Sequence, residues 1–242
     1  MPTDTDQLAA TLEQQLRAAR AERRAAAEPA LRAARDALKR YQGARLAASH
    51  ADLLAAPDSA AAARFFLHEL YGNTDPDRRD ADLARVVPTM RRLLPPRALH
   101  TIAEAVALDA LSERLDRLMA QQLAPGFTEA AYLEAFRATA ERAERERQLD
   151  LIAALGASLC ELVHIPFLGA TLGLMRGPAR LAGLAHLQLF LEHGFGAFKR
   201  LRRPAAFVAT VLERERAVLA AIYAGAPEPF RPGGQADPLK AS

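Results

Sequence analysis

Between its prolines, this chain repeats one pattern: apolar residues at three- and four-residue intervals, the period of an α-helix buried along one face. The clearest run is Leu99, Ile102, Val106, Leu111, Leu115 and Leu118, bounded by Pro95-Pro96 before it and Pro125-Gly126 after it. Strands lack material, since Trp is absent and Tyr occurs four times, while Ala, Leu, Arg, Glu and Gln dominate. The expected class is all-α, a single compact domain of about eight helices. A helical N-terminal arm or hairpin is expected over residues 1–56, the core domain over 57–225 and a disordered tail over 226–242.

The punctuation supports that division. Leu8, Leu12, Leu16 and Ala19 stand at helical spacing among Gln, Glu and Arg, so residues 5–27 read as an exposed helix suited to a partner. Pro29 interrupts, and a second amphipathic helix continues through Leu31, Leu38, Tyr41 and Leu46. Asp58 or Ser59 can cap a helix that turns Ala62, Phe65, Phe66 and Leu70 inward and stops at Gly72. Asp75, Pro76 and Asp77 form a helix start, and Pro88 should kink or split that helix. Thr128 can cap a helix through Tyr132, Leu133 and Phe136 into the charged stretch 141–147, and two last helices start beside Pro178 and Pro204. After Ala226 the tail holds four prolines and two glycines.

Residues Leu151 to Met175 carry Glu161 as their only acidic or strongly basic residue. As a membrane span this segment would bury Glu161 and His164 near its centre, beside Pro166 and with Gly156, Gly169 and Gly173 along it. The expectation is instead the central buried helix of the domain, with no membrane partner. The formal charge of +3 hides near balance, 32 cationic against 29 acidic residues, so nucleic acid is not demanded either. The densest basic run, Lys199-Arg200-Leu201-Arg202-Arg203, falls at a helix end where cations complement the dipole. A single cysteine, Cys160, excludes an internal disulfide and a Cys-based zinc site. With Met1-Pro2-Thr3-Asp4 showing no basic start or apolar run, a cytoplasmic location is expected.

Arg64-Phe65-Phe66-Leu67-His68-Glu69-Leu70-Tyr71-Gly72, followed by Arg79-Asp80, Pro88-Thr89-Met90 and Leu94-Pro95, resembles the signature of an uncharacterised bacterial family, a domain of unknown function. Gln188-Leu189-Phe190-Leu191-Glu192, Gly194-Phe195, Ala197-Phe198 and Arg214-Glu215 are similar to it too. The resemblance spans residues 60–224. It implies a helical fold and carries no activity.

Candidate chemistry is sparse. Glu161 and His164 share a helix face as a di-iron site requires, but no second Glu-x-x-His occurs, so a buried pair hydrogen-bonded to itself or to a neighbouring helix end is expected. His100 with Glu104, and His186 with His193, also share faces and could present ligands to a metal or a haem iron. His68, Glu69 and Tyr71 could line a pocket as acid, base and donor. Asp75, Asp77, Asp80 and Asp82 fail the calcium-loop spacing and read as caps and ion-pair partners, with Asp80 retained for its place in the signature. No phosphate loop, nucleophile elbow or His-Glu-x-x-His is present. The expected function is a helical binding or interaction module, acting through an interhelical groove or the N-terminal arm, with a protein partner or self-association favoured and a small-molecule ligand allowed. The alternative is a metal- or haem-dependent enzyme using Glu161, His164, His186 and His193.

Overall fold

Residues 4–71, 81–88 and 96–230 of a computed structural model are described, and among them the chain forms helices and no strand. In order these are α1 (Asp4–Ala25), α2 (Pro29–Ser49), α3 (Ala51–Ala55), α4 (Ala60–Tyr71) and α5 (residues 81–88). They continue as α6 (Pro96–Ala120), α7 (Glu129–Thr139), α8 (Arg142–Leu162), α9 (Leu168–Leu174), α10 (Arg176–Leu181), α11 (Ala185–Lys199) and α12 (Pro204–Tyr223). The all-α class holds. Among the described residues twelve helices replace the expected eight or so because long segments break: His50 separates α3 from α2, Ala140 takes an extended conformation (φ −149°, ψ 145°) between α7 and α8, and breaks after Leu162, at Met175 and after Leu181 divide the rest.

The helix on which the others pack is α6. Leu99, Ala103 and Val106 face one cluster and Met119 another, so the helix is apolar on more than one side and has no single solvent face. Its first partner is α1. Leu12, Leu16 and Ala19 are fully or almost fully buried, and Ala9, Leu12 and Leu16 form one core with Leu83, Val87, Leu99, Val106 and Leu187. The exposed-arm expectation for residues 5–27 is therefore corrected: a few small-to-medium apolar residues at helical spacing are enough bulk when the opposing helix offers Leu99, Ala103 and Val106 to the same cluster.

Two further clusters complete the core. Leu38 of α2, Met119, Tyr132 and Leu133 of α7, and Ile222 of α12 form the second; Ala62 and Ala63 of α4 with Phe198, Leu201 and Phe207 form the third. Part of the expected tail belongs to the second cluster, since Phe230 lies 6.1 Å from the Tyr132 ring and under the Arg45 guanidinium at 5.5 Å. The tail expectation for residues 231–242, and those for Gly72 and Asp75–Asp77, fall outside the described residues.

Local signals behave as their chemistry requires. Thr128 accepts from Ala131 N (3.3 Å) at the head of α7, Glu28 accepts from Leu31 N (2.9 Å) ahead of Pro29, and Pro96 and Pro204 each open a helix. Ser59 instead donates to Leu53 O (2.7 Å), closing the α3–α4 turn. Polar groups fix the register of the packed helices. Glu113 of α6, buried, accepts from Lys39 Nζ (2.6 Å) and Arg35 Nη1 (3.3 Å), with Arg23 Nη1 at 3.7 Å. Gln42 donates to Asp116 (3.1 Å), whose carboxyl burial pushes upward in pKa despite Lys39 nearby. Arg45 (2.7 Å) and His50 (3.0 Å) hold Glu215 of α12, and Arg214 grips Asp52 at 2.6 and 2.8 Å, drawing its carboxyl down to about 2.

Gly194 is fixed by close approach. A Cβ on Gly194 of α11 would sit 2.8 Å from Phe65 Cζ, and Phe65 is itself held between Phe66 and Phe190. Overpacking costs about 1–3 kcal/mol, against a helix-propensity gain of roughly 1 kcal/mol for Gly→Ala. Gly194→Ala should therefore lower stability in urea by about 1 kcal/mol. Gly173→Ala, whose Cβ meets nothing within 4 Å, should be neutral or slightly stabilising. A Gly194→Ala protein as stable as the parent would show that the Phe65 ring has room to shift.

Candidate functional site

The long apolar segment 151–175 is not the buried centre of the domain. It ends α8, turns, and forms α9 on the surface, so the expected central helix is corrected to α6. The cause is legible afterwards: Pro166, Gly169, Gly173, Gly177 and Pro178 prevent one long helix, and the short pieces left cannot place every apolar side chain inward.

The turn into α9 is built with some strain. His164 Nδ1 lies 2.6 Å from Cys160 O at the end of α8, and Ile165 and Pro166 carry the chain to Phe167, which adopts the left-handed conformation (φ 62°). A bulky residue there costs of order 1–3 kcal/mol and is held only by its surroundings. Phe167 O accepts from Thr171 N (2.9 Å) and Thr171 Oγ1 (3.1 Å), which fixes the turn from the α9 side. The Phe167 ring itself points outward, 84% exposed.

After α9, Met175 leads directly into α10, and Gly183 (φ 74°) ends it. Leu184 N donates back to Ala179 O (2.7 Å) and Gly183 N to Arg180 O (3.1 Å), the paired closure that a left-handed glycine permits. Arg85 of α5 donates to Ala182 O (3.3 Å) from beneath. α11 then returns along α9. Gln188 donates to Leu172 O (2.6 Å) and to Glu192 (2.7 Å), while Arg176 reaches both Glu192 oxygens at 2.8 Å. Hydrogen bonds from Arg176 and then Gln188 hold the Glu192 carboxyl below the usual range, so it stays ionised. Gly169 lets α9 approach the Phe195 ring, where a Cβ would fall 2.9 Å from Cε1.

Between these helices lies an open groove of about 500 Å³, walled by Leu172, Arg176, Gln188, Leu189, His193 and Phe195. Around it stand Ile165, Phe167, Leu174, Met175, Leu181 and Leu189, and every large apolar side chain that is well exposed among the described residues is in this group. Leu174 and Leu181 reach 80% and 92% exposure. Single exposed leucines are ordinary, whereas here the whole set is gathered in residues 165–189.

Of the residues proposed from sequence as catalytic groups or ligands, one lies in this groove, His193. His186 belongs to the same helix, with its side chain outside the described residues, as are those of His68, Glu69 and Tyr71 at the end of α4; Asp80 lies outside them altogether. Glu161 and His164 are both exposed, and the His164 ring bonds to Cys160 O, so the expected buried pair does not form. His100 and Glu104 meet at 3.2 Å on α6, and Glu104 also accepts from Ser158 Oγ (2.9 Å), which ties α6 to α8. Among the described residues no three His, Cys, Asp or Glu side chains gather as a metal site would need. Burial raises the Cys160 thiol pKa, which makes it a poor nucleophile. Sequence reasoning missed Phe167, Leu174 and Leu181 because an unbroken apolar run reads as interior.

The stretches that resemble a family signature meet in space. Phe65 of α4 packs on Phe190 and Gly194 of α11, Phe66 stacks near Phe198 and Phe207, and Arg214 and Glu215 each hold a partner from the α2–α3 region. Gln188, Glu192 and Phe195 also wall the groove. No helix among the described residues is long and apolar enough to cross a membrane. No curated protein and no solved structure matches the chain. Residues 21–229 match the domain of unknown function DUF8198, from within α1 to beyond α12, and the chain belongs to that family.

Proposed function

We propose that this protein is a helical binding module whose working surface is the face formed by α9, α10 and α11. One observation carries the reading: the well-exposed large apolar side chains among the described residues gather around one groove instead of scattering over the molecule. The N-terminal helix is the weaker candidate for that role, because its apolar residues are already spent on α6. The groove is shaped for a ligand with an apolar body and an acidic group, since Leu172, Leu189 and Phe195 supply its apolar walls and Arg180 stands exposed at its edge.

An anionic aromatic dye, 8-anilinonaphthalene-1-sulfonate, is a direct probe. It should bind the folded protein with saturable fluorescence, and Leu189→Gln should weaken that binding by about tenfold, since it removes apolar wall area worth about 1.5 kcal/mol. Arg142→Gln on α8, an exposed site away from this face, should leave it unchanged. Equal dye affinity in all three proteins would remove the face from consideration.

A further inference from the structure

The segment that builds this face also carries the protein's charge imbalance. Residues 161–203 hold six of the 32 cationic residues and two of the 29 acidic ones, so this stretch sums to +4 and the rest of the chain to −1. Arg180, Lys199, Arg200, Arg202 and Arg203 are all exposed. Lys199 Nζ lies 5.6 Å from the centre of the Phe195 ring, against which Gly169 packs, so a cation stands beside the start of α9. Of the two acids, Glu192 is already engaged by Arg176 and Gln188.

The apolar side chains at this rim protrude. Phe167, Leu174 and Leu181 are 80–92% exposed, which means that they stand out from the surface and do not wall a cleft. A protein groove that receives a partner helix holds its apolar residues half-buried in a concave floor. Protruding apolar tips on the segment that also presents Arg180 and Lys199 suit a lipid interface, where the tips enter the acyl boundary and the cations meet anionic headgroups. Two copies of a face with this sign of charge repel each other, which disfavours self-association here. Contact would be peripheral, as no described helix is long and apolar enough to cross a bilayer.

Resting on the reading that this face is a binding surface, we infer that its partner is an anionic lipid bilayer, entered by Phe167, Leu174 and Leu181 and held by Arg180 and Lys199. The strained turn at Phe167 then has a use, since it presents the ring outward at the tip of the face.

The full chain is mixed with vesicles of phosphatidylcholine, alone or with about 40% phosphatidylglycerol, and sedimented. Binding is expected with the anionic vesicles, about tenfold weaker without them, and reduced by salt. The triple variant Phe167→Ser, Leu174→Ser, Leu181→Ser should lose about tenfold or more of it. Its thermal melt should match the parent's, because all three side chains are already in water. The chain has no tryptophan, so Phe167→Trp gives a single reporter whose emission should shift to the blue on the anionic vesicles and be quenched by brominated lipid. Binding that ignores lipid charge, or a reporter that stays in water, overturns the proposal. No vesicle binding together with a light-scattering mass above the monomer that falls in the triple variant also overturns it, and leaves the binding face standing with a second copy as its occupant. Failure of both the vesicle and the dye experiments removes the face itself.

Discussion

Replacing Glu113 by alanine will cost about 3–5 kcal/mol of unfolding free energy, the usual penalty for leaving buried charge without its counter-charge. Glu113 is only 3% exposed, with Lys39 Nζ at 2.6 Å, Arg35 Nη1 at 3.3 Å and Arg23 Nη1 at 3.7 Å. Arg23 retains Asp109 at 3.1 Å, so the loss falls mainly on Lys39 and Arg35, whose side chains converge on the one carboxylate. Glutamine at the same position keeps the volume and an acceptor, and it separates the charge from the packing. Urea denaturation decides the matter: an alanine variant within about 1 kcal/mol of the parent would mean that the three cations find water or other acids. The exposed pair Arg142 and Glu146, at 2.7 Å on α8, is the comparison, and breaking it should cost well under 1 kcal/mol.

Deleting residues 1–27 should abolish the cooperative thermal transition. Without α1, the faces of α5 and α6 that carry Leu83, Val87, Leu99, Ala103 and Val106 lose their cover. Within α1, Leu12→Ala and Leu16→Ala should each cost about 2–5 kcal/mol, because both side chains are essentially inaccessible to water. The pair sits one turn apart, so its combined effect need not be the sum, yet it approaches the total stability of an ordinary domain. Circular dichroism during heating is the check. A truncated chain that keeps a sharp, native-like melt would show that α1 is an appendage after all.

These two sites also show what sequence could and could not convey. The helical class was legible because Leu99, Ile102 and Val106 repeat at the helical period, and Thr128, Pro29 and Pro204 act locally, within a few residues of their partners. Burial of α1 was not legible, since the spacing of Leu12 and Leu16 states which side is apolar and nothing about whether another helix arrives there. The role of Glu113 was hidden for the same reason: its cations come from residues 74 and 78 positions away for Lys39 and Arg35. The candidate face was misread in the opposite sense. Leu174 and Leu181 look like core residues by type, and only their short, glycine-broken helices place them outside. Among the histidines, composition singled out all the members of the apolar stretch equally, while the fold brings His193 alone of the described side chains to the groove.

The pairing of α1 with α6 sets an order of events during synthesis. Glu22 and Arg117, which meet at 2.5 Å, are separated by 95 residues of chain. At a translation rate of about 5–20 residues per second, α1 leaves the ribosome roughly 5–20 seconds before its partner helix is complete. Throughout that interval Leu12 and Leu16 have no native surface to cover them. The nascent chain thus carries an unshielded leucine stripe on α1 until α6 emerges.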